Sequence, residues 1–296
     1  MSLYWLCFDI GLLERMPMAR NDLVVKSNRL IEASYRLDLA EQRIILFAIK
    51  EARETGQGLD ANNFLTIRAA DYAAQFNIPT KQAYEQIKDA ATALFMRSLV
   101  LYDIHPESGK ERVTKARWVS AASYIDGEGS IQLQFSGVIV PYITMLEREF
   151  TSYRLAAISN VTSAYAIRMY ELLIQWGNTG SREVELSWLK QRLAVENSYD
   201  AIKDLKKRVI DVAVDQINQH SDLVLSYTQR KTGRTVTHLI FTFSKKPQAL
   251  KQPKTKQLAG AGGMSKKEIE RLARPGETYE EAEERIRKSM QPELFN

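Results

Sequence analysis

Apolar residues recur along Leu37–Arg53, "LDLAEQRIILFAIKEAR", with Leu39, Ile44 to Phe47 and Ile49 building one broad stripe. That spacing predicts an amphipathic helix, which Gly56 and Gly58 end. A short extended piece, "FLTI", leads into a helical pattern "AADYAAQFNI", which stops before Pro79 because proline disfavours helix at the residue preceding it. A third helix follows from Thr80 as its cap, with Tyr84, Ile87, Ala91 and Leu94 as its stripe. Strand patterns close the series: "LVLYDI", a turn at "HPESGKE", and a returning strand through "VTKARWVSAASYI".

The same order then repeats. "SAYAIRMYELLIQWG" is a first helix with its stripe at Ala166, Met169, Tyr170, Leu173 and Ile174 and a glycine stop at Gly177. "EVELSWLKQRLAV" supplies a short strand and a second helix capped by Ser187, Tyr199–Gln219 is the third helix, and "DLVLSYTQRKTGRTVTHLIFTF" is a hairpin. Helix, short strand, two helices and a two-stranded wing make a winged helix, so the expected fold is α+β, two tandem winged-helix domains with a C-terminal tail. The boundaries fall at 22–149 and 150–246, with an N-terminal extension over 1–21 and a linker plus short helical tail over 247–296. "YEQIKD" at Tyr84 and "YDAIKD" at Tyr199 echo one another in the two third helices, the position of a recognition helix.

Charge sharpens this plan. The chain of 296 residues carries a formal charge of +5. Residues 1–149 hold 17 Lys and Arg against 19 Asp and Glu, whereas residues 150–246 hold 14 against 9, so an electrostatic footprint for nucleic acid belongs in the second domain. There Ile202, Leu205, Val209, Val212, Ala213 and Ile217 are expected to face the core, which leaves Lys203, Lys206 and Lys207 on the opposite face with Arg208 beside them. A wing tip adds Arg230, Lys231 and Arg234 around Gly233. Any one of these charges fits a solvated face as well as a contact; seven on the two elements a winged helix presents to a duplex favour binding.

The first domain's third helix offers Lys81 and Lys88 among Gln82, Glu85, Asp89 and Thr92, a nearly neutral mixture. Arg112, Lys115 and Arg117 on its expected wing are candidates for backbone contact, and long wing strands also suit pairing between subunits.

Other chemistry finds little support. "ESGKE" lacks the upstream glycine and the Ser/Thr of a phosphate loop, and His105, His220 and His238 form no close pair of the kind a DNA-nicking enzyme uses to hold metal. Glu183 and Glu185 alternate along a strand as a solvated face does, and Tyr165 and Tyr170 sit in a helix stripe. The expectation is a protein without catalysis, cofactor or metal. One cysteine, Cys7, precludes an intramolecular disulfide and suits a reducing cytoplasm, and no apolar run is long enough for a membrane span. The opening "MSLYWLCFDIGLLERMPM" lacks the features of a signal peptide and reads as an upstream extension before a natural start at Met16 or Met18, with a functional N-terminal arm as the alternative. The tail begins with a linker rich in Lys, Gly, Pro and Gln, followed by two short helical patterns broken at Pro275.

Three separated segments resemble the replication initiators of iteron-containing bacterial plasmids: Asp22–Ile49 ("DLVVKSNRLIEASYRLDLAEQRIILFAI"), Phe150–Trp176 ("FTSYRLAAISNVTSAYAIRMYELLIQW") and Asp204–Asn218 ("DLKKRVIDVAVDQIN"). The resemblance spans about residues 22–245 and excludes both ends. It implies binding of double-stranded DNA, as a monomer on repeated origin sites (iterons) and as a homodimer on an inverted operator that represses the initiator's own gene. It further implies recruitment of the host replication initiator and the replicative helicase. In that family the second domain is the stronger reader, and "KKR" at Lys206–Arg208 matches its recognition-helix cluster. A winged-helix repressor without a replication role is the alternative, and a nicking enzyme of rolling-circle replication a more distant one.

Overall fold

The computed structural model describes residues 22–60, 63–124, 127–144 and 149–247, together with Glu284; the expectations for residues 1–21 and for the tail lie outside these. The described residues from 22 to 246 form one compact unit. Its central element, which follows the single turn α1 (Asn28–Ile31), is α2, Leu39–Thr55, started by a reciprocal capping box in which Asp38 accepts from the Glu41 amide and the Glu41 carboxylate accepts from the Asp38 amide. Gly56 ends it in the left-handed conformation, φ 72°, which glycine adopts without a Cβ penalty. Every residue from Glu41 to Lys50 is buried, because α2 is covered on several sides: by β1 (Leu23–Ser27), by β2 (Leu65–Arg68) and α4 (Thr80–Met96), and by α6 (Ala164–Ile174). A helix enclosed on all sides keeps its polar side chains by bonding them, as when Arg43 donates to the Ser159 and Val161 carbonyls.

The first winged helix differs from the expected one at its wing. α3 (Ala69–Phe76) and α4 follow β2 as anticipated, although Pro79 occupies the N-cap and Thr80 is the first helical residue. β3 (Ser98–Ile104) pairs with β4 (Glu111–Arg117), but the run read as one returning strand breaks at Trp118, whose side chain is fully buried. β5 (Val119–Tyr124) then joins β6 (Ser130–Phe135), β6 pairs with β2, and the single turn α5 (Val140–Ile143) follows. In the second copy the short strand β8 (Ser181–Glu185) pairs with β10 (Thr235–Lys245), which pairs with β9 (Leu223–Thr232). Matching the two sheets makes β5 and β6 the true wing of the first domain. The β3–β4 hairpin is an addition between recognition helix and wing, so Arg112, Lys115 and Arg117 do not lie on a wing.

In the second domain α7 (Leu186–Arg192) is preceded by Glu185 as N-cap, and Ser187 lies inside the helix with its hydroxyl donating to the Glu185 carboxylate. The third helix begins at Ile202, three residues later than expected, as α8 (Ile202–Leu205). It runs through a π-helical turn, Lys206–Ile210, into α9 (Asp211–His220). Ile87 is therefore the eighth residue of its helix and Ile202 the first of its own, so the "IKD" echo does not mark equivalent positions.

The two halves share a core as well as a chain. β7 (Phe150–Arg154) pairs antiparallel with β1, from Leu23 opposite Arg154 to Ser27 opposite Phe150. Beneath this ribbon Lys26 donates to Glu171 of α6 at 2.7 Å, both side chains being fully buried. The Tyr153 hydroxyl donates to the same carboxylate at 2.6 Å, and Arg168 approaches it at 3.3 Å while donating to the Tyr35 hydroxyl and the Ala33 carbonyl. Burial alone would raise the Glu171 carboxyl, but Lys26 and Arg168 outweigh it and hold the group below the usual carboxylate range. Farther out, Arg182 stacks over Trp176 and Trp188, and Arg192 over Trp188 and Tyr102, a chain of cation–π contacts that reaches from β8 to β3. Among the described residues no helix is long and apolar enough to cross a membrane.

Candidate nucleic-acid interface

The third helix of the second domain exposes Lys203, Asp204, Lys207, Arg208, Asp211, Val212, Asp215 and Gln219, a four-residue recurrence that defines one face. Its opposite side is anchored by Leu205, Val209, Ile210, Ala213 and Ile217, all fully buried. The π-turn decides this division. Its i→i+5 pattern accommodates one more residue than an α-turn, which rotates Ile210 inward and turns Val212, expected in the core, outward to 40% exposure.

Of the four basic residues predicted on this helix, Lys203, Lys207 and Arg208 stand exposed with no ion-pair partner among the described residues. Lys206 is held back. Its ammonium sits 5.3 Å from the centre of the Tyr227 ring and 3.4 Å from Gln229 Oε1, which ties the helix to strand β9. The Tyr227 hydroxyl in turn donates to Asp211 at 2.6 Å. These contacts tie the third helix to the wing strand at Lys206 and Asp211. Tyr227 is raised above the ordinary tyrosine range by burial and by the adjacent Asp211 carboxylate, so it remains the proton donor in this pair.

The wing places its three predicted residues unequally. Thr232 and Thr235 face each other across a two-residue turn whose first residue, Gly233, has φ 62°, as a type II′ turn requires. Lys231 and Arg234 lie at this exposed tip. Arg230 is instead bonded to Glu183 of β8 at 2.7 Å, so part of its charge is already neutralised across the sheet.

In the first domain Lys81 is exposed at the start of α4 and lines a cleft of about 750 Å³ between that helix and the β2–β6–β5 sheet, together with Arg68, Tyr84, Tyr124 and Gln132. Lys88 lies over the Tyr124 ring, 4.3 Å from its centre, linking recognition helix and true wing as Lys206 does in the second domain. The added hairpin carries the others. Arg112 is engaged by Asp103 across the β3–β4 pair, Arg117 donates to the Phe95 carbonyl and stacks on its ring, and Lys115 is exposed. Sequence reading overlooked Arg68, whose outward position follows from the alternation of Leu65 and Ile67 inward with Thr66 and Arg68 outward.

Two winged helices, one with an unpaired basic helix face and a basic wing tip, define a protein built on the plan of double-stranded DNA binders. The chain belongs to the replication initiator family: the model described as "Initiator Replication protein, WH1" matches residues 23–174 and that described as "Initiator Rep protein, WH2" matches residues 185–243. Among curated proteins it is similar to an uncharacterised 27.6 kDa protein of Escherichia coli, with 25% identity over 226 residues, covering 73% of this chain and 93% of the relative. Among solved structures it is similar to the Pi initiator protein in complex with iteron DNA, with TM-score 0.60 and 20% identity over 77% of this chain and 98% of that one. The WH1 domain of MSBI1.176, a replication protein isolated from a multiple sclerosis patient, shares 43% identity, with TM-score 0.33, over 40% of this chain and 88% of that one.

Proposed function

We propose that this protein initiates plasmid replication by binding repeated origin sites, the iterons, in double-stranded DNA, and that it does so without catalysing a reaction. The observation that carries the reading is the exposed triad Lys203, Lys207 and Arg208 on the third helix of the second domain, with Lys231 and Arg234 at the wing tip beside it. A helix of this width enters the major groove, where arginine bonds guanine O6 and N7 in a bidentate manner and ammonium groups meet the flanking phosphates. The shared fold with the Pi initiator, whose crystal structure holds iteron DNA, supports the same mode of engagement.

The first domain then has two tasks. Its cleft with Arg68 and Lys81 approaches the duplex from the same kind of surface, with weaker charge. Its added hairpin leaves the outer edge of β4 unpaired among the described strands, next to Ile104 at 61%, Val113 at 60% and Met96 at 68% exposure. An apolar free edge of this kind suits pairing with a second copy. On this reading monomers occupy iterons, dimers occupy an inverted operator and repress the gene, and the host initiator and helicase join the monomer at the origin in the cytoplasm.

Footprinting of the purified protein on the DNA flanking its gene, with sedimentation of each complex, tests the reading. Protection of direct repeats by one subunit per repeat and of an inverted repeat by two is expected. Equal stoichiometry on both, with no dimer at any concentration, would remove the dimer arm, and absence of repeat protection would remove the function.

A further inference from the structure

Val212 is an apolar side chain on a face that is otherwise charged or polar. It follows Arg208 by four residues and stands among Lys207, Asp211 and Asp215, with 40% of its surface exposed. A regular α-helix would bury it in the stripe with Leu205 and Val209; the π-turn at Lys206–Ile210 sends Ile210 into the core instead. Asp211 is held by the Tyr227 hydroxyl on the wing side, so the side chain that accompanies Arg208 along the free face is Val212.

Once such a helix enters a major groove, a branched apolar group is desolvated against whatever lies opposite. Polar base edges and phosphates would lose hydration to it without compensation. The one apolar group that a major groove presents is the 5-methyl of thymine. We infer that Val212 reads a thymine methyl close to the base pair engaged by Arg208, so that the helix recognises a polar and an apolar group together. This rests on the major-groove reading proposed above.

The experiment uses the full chain and a duplex carrying the repeat defined by footprinting, in which each thymine in turn is replaced by deoxyuridine, a change that removes the methyl alone. Binding is measured for the native protein and for Val212→Ala. Loss of one buried methyl-sized contact corresponds to a weakening of about fourfold. At one thymine, demethylation should weaken the native protein by about this factor and Val212→Ala by less than twofold, with Val212→Ala on the unmodified duplex already weakened to a similar extent. If the native protein binds the repeat and no deoxyuridine position loses its effect in Val212→Ala, the inference is overturned while the DNA-binding function stands. If the native protein fails to protect the repeat at all, the function on which the inference rests fails first.

Discussion

Replacing Glu171 and replacing Lys26 should have very different consequences, although the two residues form one salt bridge. The cluster beneath the β1–β7 ribbon contains two cations, Lys26 and Arg168, around one carboxylate, all at 4% exposure or less. Glu171→Gln leaves both cations facing a neutral amide, and loss of one partner of a buried pair costs about 3–5 kcal/mol. Lys26→Met keeps the length of the side chain and removes one cation; Arg168 at 3.3 Å and the Tyr153 hydroxyl at 2.6 Å still satisfy the carboxylate. That change should cost about 1–2 kcal/mol, since a buried charge is removed together with its attraction. Urea unfolding at neutral pH measures both. With a dependence of about 3 kcal/mol per molar for a unit of this size, the midpoint should fall by about 1–2 M for Glu171→Gln and by about half a molar for Lys26→Met. The sign with pH follows from the lowered Glu171 carboxyl: its contribution is present above the unfolded carboxylate value of about 4.3 and is lost as pH falls through the lower folded value. The native protein should therefore lose stability more steeply than Glu171→Gln on acidification below about pH 4. Equal losses for the two substitutions at neutral pH would refute the counting of charges on which the argument depends.

Other consequences are as direct. Ile210→Ala should destabilise by about 2–5 kcal/mol and Val212→Ala by less than about 0.5 kcal/mol in thermal or urea unfolding, the reverse of what an unbroken α-helical stripe requires. Arg208→Ala should cost about 1–3 kcal/mol on the specific repeat and blunt discrimination at one base pair, whereas Lys231→Ala and Arg234→Ala should weaken all sequences alike and lower the log–log salt slope by about one unit each; titrations over a salt series on repeat and scrambled duplexes separate the two patterns. Arg230→Ala should alter the salt slope less than Lys231→Ala, because Glu183 already compensates Arg230. A chain ending at Lys246 should retain a single cooperative unfolding transition and bind the repeat, because the described residues from 22 to 246 share one hydrophobic core.

The elements that sequence disclosed are those whose signals are local. The stripe of α2, the stop at Gly56 and the break before Pro79 each depend on a few adjacent residues, and the basic helix face follows from spacing within a single element. Sequence places the first wing one hairpin too early because "VTKARWVSAASYI" contains no glycine or proline to mark the break at Trp118; what divides the strand is the full burial of that indole, edge-on to Tyr35 and beside Lys26. The inward turn of Ile210 was hidden for a related reason, since Ile210, Val212 and Ala213 are all apolar enough for either register. Partnerships over long separations were not legible at all. Lys26 and Glu171 are 145 residues apart, and Arg230 appeared as free as Lys231 until β8 placed Glu183 against it.

The pairing of β1 with β7 also fixes an order of events during synthesis. Leu23–Ser27 emerge early, but their partner strand, Phe150–Arg154, is made more than 120 residues later, and Glu171 follows it. Glu171 is the carboxylate that Lys26 pairs with among the described residues, and α6, which carries it, also covers one side of α2. Closure of the core around α2 therefore depends on β7 and α6, both made after the β5–β6 wing, rather than on the end of that wing.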